Sequence, residues 1–231
     1  MKQIINKKNM ANIFTSSIGK KLIMSISGLF LVIFLLLHAV INSLSLISDE
    51  AFQAGCDFMS LPIITVMVPI LALGFIIHIV YAFYLSATNL KARGTQRYAV
   101  AHKGGASSWA SKNMLVLGII VIGILVFHLT HFWADMQLLH FQGQEQMDPN
   151  FLMDRTFGNL IVTIIYLIWF AALWFHLTHG FWSAFQTIGM NNNIWIKRLK
   201  VLAYIFATVI CGLFAAVAIA AYVRVNFCSC C

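Results

Sequence analysis

Five apolar runs dominate the chain, at about 22–47, 61–87, 114–133, 160–185 and 201–223. Each is near or above the roughly 20 residues that cross about 30 Å of hydrocarbon as a helix. A segment inside lipid must satisfy its own backbone hydrogen bonds, so the runs predict five transmembrane helices and an all-α membrane bundle. Of the 231 residues, 61% are hydrophobic and 10% charged, which leaves no stretch for a soluble domain. The whole chain reads as one transmembrane domain, opened by a short polar segment over 1–20 whose scattered apolar residues (Ile4, Ile5, Met10, Ile13, Phe14) suit an interfacial helix. The first run follows Lys20 and Lys21, but it is longer than the 7 to 15 apolar residues of a signal peptide, so it reads as a retained helix.

Charge sorts by loop. Lys2, Lys7, Lys8, Lys20 and Lys21 precede the first run; Lys91, Arg93, Arg97, Lys103 and Lys112 lie between the second and third; Lys197, Arg198 and Lys200 lie between the fourth and fifth. All seven acids (Asp49, Glu50, Asp57, Asp135, Glu145, Asp148, Asp154) fall on the other side, with only Arg155 and Arg224 among the basic residues. The positive-inside rule therefore predicts a multi-pass membrane protein with a cytoplasmic N-terminus and an outer C-terminus. The formal charge of +8 is then a topology signal that gives no reason to invoke nucleic acid; the basic loops suit lipid headgroups or a docked soluble partner. The loop over 89–112 is basic with several glycines and serines, and the outer loop over 135–154 is polar and contains Asp148-Pro149. Cys56, Cys211, Cys228, Cys230 and Cys231 show no four-ligand zinc spacing, and the terminal three read as a plain thiol tail.

Six of the eight histidines lie inside apolar runs: His38, His78, His128, His131, His176 and His179. An ionisable residue in a span is costly and marks a functional site by default, although a single histidine can simply bridge two helices. Four consecutive runs each supplying one is a stronger pattern. Counted from the outer acids, His38 is 11 residues from Asp49 and His128 is 7 from Asp135, whereas His78 is 21 from Asp57 and His176 is 22 from Asp154. At about 1.5 Å per residue these form two layers roughly 15 to 23 Å apart. Two such layers suit two stacked haems, each held by imidazoles from two helices: His38 with His128, and His78 with His176. Two imidazoles per iron leave no open position, which favours electron transfer over oxygen chemistry. His131 and His179 lie three residues beyond His128 and His176, close to the same helix face, and remain secondary candidates. His102 and His140 fall in loops. An internal echo accompanies the pattern: Gly28 precedes His38 by ten residues, and Gly118 precedes His128 by ten.

With these residues placed, the chain resembles the five-helix, two-haem cytochrome b anchor subunits of succinate dehydrogenases and fumarate reductases. The matching stretches are 37–42 (LHAVIN), 78–81 (HIVY) with Tyr84, 118–128, and Phe175-His176 with 180–183 (GFWS). The resemblance implies two haem b groups, the cytoplasmic one held by His78 and His176 and the distal one by His38 and His128. It also implies a flavoprotein subunit and an iron-sulfur subunit docked on the basic face, and menaquinone as the usual lipid-soluble partner. Family members use an acidic residue near the distal haem for proton exchange with quinone. Asp57 is the best-placed candidate here, ahead of Asp49 and Glu50. Some members carry a glutamate two residues before the fourth-helix ligand; here that position is Trp174. A cytochrome b subunit of a hydrogenase or formate dehydrogenase is a competing reading, disfavoured by one ligand per helix over four helices. A histidine-lined proton-coupled transporter is another, and it would be expected to carry acids in its spans.

Overall fold

The computed structural model describes residues 16–93 and 109–228. Most of the proposed interfacial segment, most of the second basic loop with His102, and Cys230 and Cys231 lie outside the described residues. The rest is helical, and five helices are long and apolar enough to span a membrane. In chain order the principal helices are α1 (Ser17–Ser43), α2 (Asp49–Met59), α3 (Met67–Arg93), α4 (Met114–His128), α5 (Pro149–Phe157), α6 (Leu160–Thr187) and α7 (Asn193–Phe227). Helices α1, α3, α4, α6 and α7 carry the five apolar runs.

Polar caps set where the apolar runs become helix. Ser16 Oγ accepts from Gly19 N at 3.0 Å to open α1, and Asn192 Oδ1 accepts from Trp195 N at 2.8 Å to open α7. Asn159 does the same for α6. Each such cap contributes about 1 kcal/mol by satisfying orphan amides. Two short outer helices use the same chemistry. Ser48 caps α2, and Asp148 caps α5 with Pro149 in the first turn, where its missing N–H costs nothing. Gly143 and Gly189 have φ of 69° and 111° and end the helical stretches that α4 and α6 begin, a conformation other residues avoid.

Helix α4 is longer than its apolar run. After His128 the backbone passes into a π-helix, Leu129–Leu138, and then a last turn, Leu139–Phe141. Asp135, assigned to the outer loop on polarity, therefore lies on the helix. Its carboxylate is neutralised by Arg155 at 2.5 Å, which lets helix continue through a position that hydropathy excludes.

Packing is uneven. Helix α6 is central, meeting α1, α4 and α7, and its partnership with α7 is the most extensive. Ala203, Ala207 and Ala218 of α7 are fully buried, and small residues of this kind let two helices approach where no hydrophobic drive exists between them. Trp174 Nε1 donates to Thr208 Oγ1 at 2.9 Å across the same interface. Helix α3 is the least buried span and leans mainly on α1. At the end of the bundle that carries α2 and α5, Arg224, near the end of α7, bonds Asp154 of α5 at 2.5 Å and Asp49 of α2 at 2.6 Å. Leu152, Met153, Phe157 and Phe52 are buried beneath this clamp, which closes one end of the bundle.

Candidate haem-binding sites

Two pairs of imidazoles meet across the bundle. His38 of α1 faces His128 of α4, with ring centroids 5.8 Å apart and planes at 88°. His78 of α3 faces His176 of α6 at 6.4 Å and 68°. The structure thus brings together the same partners that depth along the sequence pairs. The levels are fixed by the glycines. A Cβ on Gly28 would lie 3.2 Å from His78 Cε1, and one on Gly118 would lie 4.0 Å from His176 Cε1. Gly28 and Gly118 therefore mark the inner level on α1 and α4, and ten residues further on the same helices His38 and His128 mark the outer one. Ten residues of helix put the two levels about 15 Å apart. The glycine-histidine echo is the trace of this arrangement.

The two sites differ in their walls. The outer pair sits among aromatic rings: Phe34 stacks on His38 at 5.4 Å and Phe214 lies at 5.6 Å, while Phe132, Trp169 and Tyr166 surround His128 at 5.2, 5.7 and 6.2 Å. At the inner pair the neighbours are smaller and more polar. Ser27 Oγ lies 3.4 Å from His78 Nδ1 and donates to Met24 O at 3.0 Å, fixing the ring against α1. At the end of the bundle nearer the inner pair Lys20 Nζ donates to Tyr84 OH at 2.7 Å and joins α1 to α3.

The other histidines behave differently. His131 Nδ1 lies 3.2 Å from Tyr166 OH, and its ring packs edge-on to Phe127 at 4.1 Å. His179 lies against Trp182 at 5.2 Å. His140 is exposed in the last outer turn. Asp57, on α2, is exposed and accepts from Gln53 Nε2 at 2.8 Å. It lines an outer cavity of about 450 Å³ together with Cys56, Ser60, Met136, Gln146 and Asp148. Burial and the neighbouring Asp57 and Asp148 carboxylates push the Cys56 thiol up to about 12. Asp49 is engaged by Arg224, and Glu50 stands beside it at the start of α2.

The paired histidines fit a metal-centred planar group on two counts. A metal–imidazole bond is about 2 Å, so two rings sharing one ion have centres about 6 Å apart, close to both observed separations. His128 and His176 also bury an Nδ1 with no hydrogen-bond partner, as does His179, whereas buried ring nitrogens are ordinarily satisfied. Neither ring is committed to a protein group, and the glycines at the inner level leave room that a side chain would fill.

Sequence reasoning passed over Tyr166 and Ser27. Tyr166 is 1% exposed and touches both histidines of α4. Its signal was available, because it precedes His176 by ten residues, the spacing that separates the two levels on α1 and α4.

The fold and these sites define a class: a five-span membrane bundle that presents two cross-helix imidazole pairs at different depths. Among curated proteins the chain is similar to the succinate dehydrogenase cytochrome b558 subunit of Bacillus subtilis (strain 168), with 26% identity over 170 residues, covering 73% of this chain and 78% of the relative. The similarity supports the cytochrome b membrane-anchor family that the histidine pattern resembles. No family model matches the chain, and no solved structure matches it.

Proposed function

We propose that the chain is the cytochrome b membrane-anchor subunit of a succinate:quinone oxidoreductase, with His38 and His128 holding an outer haem b and His78 and His176 an inner one. The observation that carries this reading is the pairing of four histidines from four spans into two facing couples at two depths. Bound there, the two haems would supply one-electron centres near opposite faces of the membrane. The chain's own residues do the rest. With two imidazoles to hold each haem, no position would be left open for oxygen, which favours electron transfer. The aromatic shell of Phe34, Phe132, Trp169 and Phe214 keeps water from the outer pair. Ser27 orients His78, as outer-shell partners of metal-binding histidines generally do.

In this reading succinate chemistry belongs to a flavoprotein subunit, and an iron-sulfur subunit docks on the basic cytoplasmic face. Asp57 exchanges a proton with a quinone oxygen at the outer cavity; menaquinone is the quinone that the family resemblance suggests. The chain sits in the bacterial cytoplasmic membrane with its N-terminus inside.

A reduced-minus-oxidised absorption spectrum of the purified complex, with a haem count, tests the proposal. Two b-type haems per chain are expected. A haem-free protein would leave the histidines to another role, such as lining a proton path, and would remove this reading.

A further inference from the structure

Helix α4 offers two histidines three residues apart, His128 and His131, opposite a single histidine of α1, His38. On a regular helix both would lie close to one face, and either could meet a partner there. Something must decide between them. The backbone changes to a π-helix at Leu129, directly after His128. A π turn holds more residues than an α turn, so a side chain three positions on is carried less far round the axis. His131 accordingly turns to α6. Its Nδ1 lies 3.2 Å from Tyr166 OH, its ring packs against Phe127, and its backbone carbonyl lies 3.5 Å from Arg155 Nη2. For the Tyr166 hydroxyl this is its one hydrogen bond among the described residues. His128, by contrast, keeps an unpartnered Nδ1 and faces His38. The chain thus engages one imidazole of α4 and leaves the other free.

We propose that Tyr166 is the positioning residue that selects the outer ligand: by holding His131 against α6, it reserves the place opposite His38 for His128. The inference rests on reading the outer pair as haem ligands. It adds a residue on a third helix that contributes no ligand itself but determines which residue does.

The test compares four forms of the purified complex by haem count and by the low-temperature EPR signals of the oxidised haems: wild type, His128→Ala, His128→Ala with Tyr166→Phe, and that double variant with His131→Ala. The inner low-spin signal, from the His78 and His176 pair, reports folding in every form. His128→Ala should lose the outer low-spin signal while Tyr166 still holds His131. Adding Tyr166→Phe frees His131 and should restore an outer low-spin signal, and removing His131 should abolish it again. Two results overturn the proposal: His128→Ala already showing a low-spin outer haem that depends on His131, or the double variant behaving as His128→Ala does. If the double variant fails to fold, Tyr166→Phe alone decides. It should split or shift the outer EPR signal as two imidazoles compete, and an unchanged signal overturns the idea. A wild-type complex without b haem would instead defeat the underlying functional reading, an outcome distinct from these.

Discussion

The Cβ that Gly28 lacks would stand 3.2 Å from Cε1 of His78, so the backbone of α1 at this point is in direct contact with the inner histidine of α3. Alanine in place of a helical glycine normally stabilises a helix by up to about 1 kcal/mol, whereas overpacking a close contact costs about 1 to 3 kcal/mol. For alanine the two are of similar size and the outcome turns on whether His78 can give by a few tenths of an ångström, whereas a branched side chain adds bulk that such a shift does not absorb. Gly28→Val should push His78 aside and weaken or lose the inner haem while sparing the outer one. Gly123→Ala on α4 meets nothing within 4 Å and should leave both in place. Redox-resolved spectra of the two variants check this, and an intact inner haem in Gly28→Val counts against the inner site as described.

The pairing makes its own forecast. Removing an axial imidazole opens a coordination site on a buried cofactor, so His38→Ala and His128→Ala should disturb the same redox component, the outer one. His78→Ala and His176→Ala should disturb the other. Potentiometric titration followed at the haem bands separates the two components. If His38→Ala and His78→Ala abolished one and the same component, the two-layer arrangement would be wrong.

Asp57 should matter to quinone and not to haem. Exposed on α2 and held by Gln53, it contributes little to packing. Asp57→Asn keeps the shape and removes the proton-exchanging group, so quinone-linked turnover should fall by about a hundredfold or more, within the range usual for loss of an acid–base group. Both haems and succinate oxidation with a soluble acceptor should be unaffected. Undiminished quinone turnover in Asp57→Asn would exclude an essential role.

Much of this architecture is legible in the sequence, because bilayer thickness imposes a length on each apolar run and loop charge imposes a direction. The histidine layers follow from counting residues inward from the outer acids. Three features escape for identifiable reasons. Helices α2 and α5 are short and polar, and they rest on the Ser48 and Asp148 caps and the Arg224 clamp rather than on a long apolar face. Asp135 reads as loop because its neutralising partner, Arg155, is 20 residues away. The sequence prefers His128 to His131 without excluding the second, because three residues along a regular helix return close to the same face. The Gly118-to-His128 echo and the depth match favour His128, and the π-helix adds a separation that residue spacing does not announce.

Cys56 gives a pH-dependent test of the outer cavity. With the thiol pushed up to about 12, folded protein holds its proton where an unfolded chain releases it. The contribution is fully present below about pH 9, and stability falls as pH rises from there toward 12. Near pH 8 the thiolate fraction drops about a thousandfold, partly offset by the greater nucleophilicity of a weaker acid, for a net slowing of about thirtyfold. Alkylation of Cys56 should therefore lag behind that of the exposed Cys228 and catch up on unfolding, as measured by mass spectrometry of the labelled chain. Equal rates in the folded protein would contradict the crowding of this thiol by Asp57 and Asp148.

Orientation is open to direct measurement. Thirteen of the fifteen Lys and Arg residues lie in the three segments read as cytoplasmic. Reporter fusions after Lys103 and after Gln146 should report opposite sides of the membrane. Identical sides would defeat the five-span arrangement.

The Arg224 clamp has a consequence for the order in which the molecule can be built. Its two partners, Asp49 and Asp154, come from segments that are synthesised before α7, and each waits for the Arg224 cation that the last helix brings. Until α7 is threaded, α2 and α5 touch each other, with Asn150 Nδ2 donating to Asp49 O at 3.3 Å, but lack their shared ionic tie, and α6 lacks its most extensive neighbour. Closure of the outer end is thus coupled to insertion of the final span. A ribosome-bound chain that stops short of α7 should leave Asp49 and Asp154 untethered and the outer histidine layer accessible from the far side of the membrane.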